Sequence, residues 1–129
     1  MEYFEVAAKW WTDQIRNHEI NKLNTSPSAL DGGIVLLHET INKQVYNPTD
    51  KDYDYFYSLL ADYIKQTIES FGSNIIVSDY GPEESLCAIA NQASIPFARF
   101  PWKVRMYISK NEVIVYQGTG SHGQIIYPE

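Results

Sequence analysis

The chain has 129 residues, the size of one domain, and its 44% apolar share includes ten Tyr, five Phe and three Trp, enough for one core without covalent staples. Cys87 has no partner for a disulfide, the start Met1-Glu-Tyr-Phe-Glu5 lacks the basic and apolar stretches of a signal peptide, and no run approaches the roughly 18 apolar residues of a membrane span. A single cytoplasmic α+β domain over residues 1–129 with no membrane role is therefore expected, and its formal charge of −6 makes it acidic.

That charge is unevenly placed. Residues 1–98 hold fourteen Asp or Glu against six Lys or Arg, whereas residues 99–129 hold two against four. The acidic part repels nucleic acid and anionic membranes at low salt, so only the last quarter can present a basic surface.

In chain order, Glu2 to about Asn17 reads as an amphipathic helix, because Tyr3, Val6, Ala7, Trp10 and Trp11 recur at three- and four-residue spacing. The cap and turn cluster Asn24-Thr-Ser-Pro-Ser28 follows, and Ser28 with Asp31 fits a capping box. A second helix to about Gln44 is predicted there, with Ile34, Leu37, His38, Ile41 and Val45 along one side and Gly32 and Gly33 weakening its start.

After the break Tyr46-Asn-Pro-Thr-Asp50, a third helix runs from about Lys51 to Phe71, with Tyr53, Phe56, Leu60, Tyr63, Ile64 and Phe71 facing inward and Gly72 as its stop. The period changes at Ile75-Ile-Val77, a β-branched strand closed by the turn Asp79-Tyr-Gly-Pro82. Pro82 then serves as first residue of a fourth helix whose apolar stripe is Leu86, Ile89, Ala90 and Ala93.

Pro96 and Pro101 hold an extended approach to a strand in which Val104, Met106 and Ile108 alternate with Lys103, Arg105 and Tyr107. Lys110-Asn111 makes a hairpin turn, Glu112 to Tyr116 pairs back, and a last strand covers about Gln124 to Tyr127. The order αααβαβββ predicts about four helices packed on a small, mostly antiparallel sheet of about four strands, with the helices on one face.

Catalytic signatures are incomplete. His38-Glu39 begins a metalloprotease pattern, but the second ligand position is Asn42, and His18 and His122 lie at no ligand spacing. Cys87 falls inside a helix behind acidic residues that disfavour its thiolate, so a small core residue is the simpler reading. Ser121-His122 are chain neighbours without a Gly-x-Ser-x-Gly elbow, and the glycine loop Gly118 to Gly123 lacks a Gly-Lys-Ser/Thr ending. Asp79 with Glu83 and Glu84 is a weak candidate for a divalent cation, set against three carboxylates that simply cap a helix. No catalytic residue and no cofactor is predicted.

Binding residues are easier to nominate. Phe97-Ala-Arg-Phe-Pro-Trp102 with Lys103, Arg105 and Tyr107 can set aromatic and basic groups on one exposed sheet face, suited to stacking bases or meeting an acidic protein. Arg99, Phe100 and Tyr80 join that set. Trp10 and Trp11 cannot both point into one core from one helix, so one of them is a candidate for an interface, including a homodimer.

Ala7-Ala-Lys-Trp-Trp11, Asp79-Tyr-Gly-Pro82 before a helix, and Phe100-Pro-Trp-Lys103 opening a strand occur together here. In that combination the chain resembles a family of small proteins encoded by phages, prophages and mobile elements of gut bacteria, over the first helix and roughly residues 76–127. The resemblance brings no catalytic residue with it. It implies a setting in which small acidic proteins inhibit host defence by binding a protein such as a nuclease, anti-CRISPR proteins being the familiar example. The alternatives are a sponge that sequesters a nucleotide signal through aromatic rings and Arg99, Lys103 or Arg105, and a small metal-dependent nuclease or hydrolase built on Asp79, Glu83 and Glu84.

Overall fold

A computed structural model describes residues 1–17, 48–118 and 122–129. The expected helix between Ser28 and Gln44 lies outside these residues. Among the described residues are three α-helices, α1 (Tyr3–Asn17), α2 (Asp50–Phe71) and α3 (Glu84–Gln92), one 3-10 turn (Phe97–Arg99), and four strands, β1 (Ser73–Ser78), β2 (Val104–Ser109), β3 (Val113–Gln117) and β4 (Gln124–Tyr127). The class is α+β, and the sheet is antiparallel throughout in the order β1-β2-β3-β4.

Local chemistry sets the boundaries. Thr49 caps α2: its hydroxyl accepts from Asp52 N–H at 3.2 Å while the Asp52 carboxylate accepts from Thr49 N–H at 2.9 Å. Gly72 ends the helix in the left-handed region at φ 84°, where a side chain would be strained. Phe71 points to solvent instead of inward, because the chain leaves the helix immediately after it.

Pro82 is not the first residue of α3. It forms an isolated bridge with Ser78, and Glu83 stays extended because its N–H donates to Val77 O at 3.0 Å. The helix begins at Glu84, its first bond running from Cys87 N–H to Glu83 O. Between Pro96 and Pro101 the chain makes the 3-10 turn where an extended run was expected, closed by bonds from Arg99 and Phe100 to Pro96 O and Phe97 O.

The described core residues form one cluster between the helices and one face of the sheet. Ala7 and Ala8 let α1 approach closely, and Trp11 reaches inward to Phe100 at 6.3 Å between ring centroids. Phe100 in turn meets Phe56 of α2 at 5.9 Å, so three rings tie both long helices to the segment that leads into β2. From the sheet, Ile76, Val104, Met106, Ile108, Val113 and Val115 complete the cluster.

Strand alternation then fixes what the opposite face carries. The register pairs Ile75 with Tyr107, Tyr107 with Ile114, and Ile114 with Ile125, a row crossing all four strands. The next row holds Val77, Arg105 and Tyr116. No helix among the described residues packs on these two rows, because α1, α2 and α3 all turn their buried side chains into the core cluster on the other face.

Candidate functional site

The outer sheet face is the candidate site. Ile75, Tyr107 and Ile125 are 51%, 39% and 58% exposed, and Val77, Ile114 and Tyr116 are half-buried among them. Single exposed apolar residues are ordinary, whereas a contiguous row across a sheet makes a candidate binding surface.

Arg105 is the charged member of the two rows. Its guanidinium carbon sits 5.2 Å from the centroid of the Tyr116 ring, its cross-strand partner on β3. Tyr116 and Ile114 also lie close to Gly123. A Cβ added at Gly123 would fall 2.6 Å from Ile114 Cγ2 and 2.8 Å from Tyr116 Cε1, so the glycine leaves the room these two side chains fill.

At one end of the sheet the loops after β1 and before β2 are bonded together. Lys103 N–H donates to Asp79 O at 2.7 Å, Gly118 N–H to Lys103 O at 2.8 Å, and the buried Ser78 hydroxyl to Pro101 O at 2.7 Å. Lys103 holds a left-handed φ of 57° within this net. Tyr80 and Trp102, 71% and 52% exposed, stand edge to face here with centroids 6.0 Å apart.

Along the outer edge of β1, several backbone groups have partners within the chain. On β1, Ile75 N–H donates to the Asn74 side-chain oxygen at 2.8 Å, and Glu83 takes both outward groups of Val77, through its own N–H and through its carboxylate. Burial raises the Glu83 carboxyl above its ordinary range, with the Val77 bond opposing the rise. β4 is only four residues long, is irregular beside Val113 and Ile114, and is followed by Pro128, which has no N–H to donate.

The sequence-derived candidates therefore divide. Arg105 and Tyr107 share the outer face, with Tyr80, Trp102 and Lys103 at its end. Trp11 and Phe100 are wholly buried and contact no partner in the folded state. Trp10 packs edge to face on Trp11 at 5.1 Å and lines a groove of about 190 Å³ with Val6, Lys9, Asp13 and Ile126, below the roughly 300 Å³ at which small-molecule sites begin. Arg99 lies in the 3-10 turn, where its charge opposes the burial that raises the Tyr53 pKa. Ile75, Val77, Ile114, Tyr116 and Ile125 were missed, although the alternation that singled out Arg105 and Tyr107 also marks Ile114 and Tyr116 on β3.

Asp79, Glu83 and Glu84 do not converge, and among the described residues no group of three His, Cys, Asp or Glu side chains is placed to hold a metal ion. His18, His38 and Ser121 lie outside the described residues. Cys87 donates its thiol to Pro82 O at 3.1 Å, and burial, with Glu83 and Glu84 adding repulsion, raises its pKa and keeps it protonated. No helix among the described residues is long and apolar enough to cross a membrane. Comparison with known proteins finds no family model that matches this chain and no curated protein that matches it.

Proposed function

We propose that this protein acts by binding, through the outer face of its sheet, and that its partner is a protein of a host defence system which it inhibits in the manner of an anti-CRISPR protein. The observation that carries the binding reading is the apolar row Ile75, Tyr107, Ile114, Ile125 beside Arg105, on the sheet face that no helix among the described residues covers. The phage and mobile-element setting comes from the motifs at Ala7–Trp11, Asp79–Pro82 and Phe100–Lys103. The acidic balance of residues 1–98 adds attraction toward a basic, nucleic-acid-binding partner.

Capture from a host lysate tests it. Wild-type protein retains a defence component and lowers its activity, and the Ile75→Glu/Ile125→Glu variant, which leaves the core side untouched, releases it. A variant that captures and inhibits as well as wild type removes the sheet face from the proposal.

The exposed Tyr80 and Trp102 rings beside Lys103 favour a second reading, a sponge for a nucleotide signal. Cyclic nucleotides then raise the melting temperature of the wild type and not of the Trp102→Ala variant.

A further inference from the structure

We infer that the outer sheet face seats one amphipathic helix of the partner protein, a helix that brings a carboxylate to Arg105. This rests on the binding reading above and names what the face receives.

Arg105 decides the charge. It is the cation on a face whose other members, Ile75, Val77, Tyr107, Ile114, Tyr116 and Ile125, are uncharged. Its guanidinium is held over Tyr116 at 5.2 Å. Any apolar segment that covered this face without an acid would bury that charge unpaired, which is strongly unfavourable. The same argument disfavours a second copy laid face to face, since an isologous contact sets this face against itself and supplies no carboxylate from either side.

Backbone chemistry decides the form. A sheet face offers side chains and no free N–H or C=O groups, so an extended peptide lying on it leaves its own backbone unpaired. Strand addition at an edge would avoid that, but Asn74 and Glu83 take outward groups of Ile75 and Val77 on β1, and β4 is four residues long and followed by Pro128. A helix satisfies its own backbone and presents an apolar stripe.

Dimensions agree. Four strands make a strip about 14 Å across at roughly 4.8 Å spacing, and the two rows lie about 7 Å apart, enough for a helix about 10 Å wide. The opposite face of this sheet already carries helices in that way. Single-stranded nucleic acid fits less well, because the Tyr116 ring is occupied by Arg105 and the row it would lie on is mostly aliphatic.

Selection of displayed random peptides of about 16 residues, some four turns of helix, on the intact protein tests the inference. Enriched peptides carry apolar residues at i, i+3, i+4 and i+7 with Asp or Glu beside them. Their affinity falls at least about tenfold on Ile125→Glu, and Arg105→Glu shifts the preference to peptides bearing Lys or Arg. Both variants keep the circular dichroism spectrum of the wild type. Enrichment of proline-rich or alternating peptides overturns the inference, as does binding indifferent to Arg105→Glu, or no peptide displaced by Ile125→Glu. Oligouridylate binding abolished by Ile125→Glu, or a wild-type dimer that this substitution returns to monomer, overturns it in favour of nucleic acid or a second copy. If lysate capture still depends on the sheet face while the selection fails, the helix inference alone falls. If capture is indifferent to the face, the binding reading falls with it.

Discussion

Arg105 on β2 and Tyr116 on β3 face each other across the central ladder, guanidinium over ring at 5.2 Å, on the side of the sheet away from the helices. The pair holds a cation among the uncharged side chains of the two rows. An exposed contact of this kind contributes about 0.5–1 kcal/mol. Arg105→Ala is therefore expected to lower the melting temperature by only a few degrees, while its loss of partner capture is much larger. Paired thermal melts and capture assays separate the two effects.

Gly123 is packed closely by two side chains of the outer face. An Ala Cβ there would meet Ile114 Cγ2 at 2.6 Å and Tyr116 Cε1 at 2.8 Å, so neighbours must shift. Overpacking of this size costs about 1–3 kcal/mol. Gly123→Ala should lower the melting temperature accordingly, and combining it with Ile114→Ala should return part of the loss, because the closest atom is then gone.

The three tryptophans should respond differently to truncation. Trp11→Ala removes a wholly buried ring that packs on Phe100, a class of change that costs about 3–5 kcal/mol and threatens folding at 37 °C. Trp102→Ala removes a ring that is 52% exposed and should change stability by less than about 1 kcal/mol. Trp10→Ala falls between them, since the ring is half-buried on Trp11. Urea midpoints of the three variants give the order.

Glu83 makes stability depend on pH. Burial raises its folded-state pKa above the ordinary value, which the unfolded chain keeps. Between the two values the folded protein holds a proton that the unfolded chain has released. This contribution to stability is present below the ordinary Glu value and is lost as pH rises through the folded value. Glu83→Gln removes the charge yet retains an oxygen for Val77 N–H. The variant should melt higher than wild type at about pH 7.5, with the difference vanishing near about pH 4. A difference that grew on acidification would reverse the sign and refute the burial argument.

Much of the architecture was legible in the residues because it depends on short-range rules. The four-residue spacing of Tyr3, Ala7 and Trp11 and of Phe56, Leu60 and Ile64 placed α1 and α2, and the β-branched Ile75–Val77 and the alternation from Val104 to Ile108 placed β1 and β2. Pro82 was misplaced because its role is set by a bond between Glu83 and Val77 that local propensity does not contain. The inward Phe71 was wrong for a related reason, since periodicity continues to the last helical residue whereas packing had already ended.

By itself, then, the order of residues determined an α+β chain with an amphipathic α1 and α2, a strand-turn-helix unit, a closing hairpin, and outward Arg105 and Tyr107 on β2. Only the tertiary structure decided that Trp11 and Phe100 are core, and that Ile75, Ile114 and Ile125 join Tyr107 in one row. Periodicity tells which side of its own element a residue occupies. Whether that side meets a helix or stays open is fixed by sheet order and register, which depend on contacts between residues far apart in the chain.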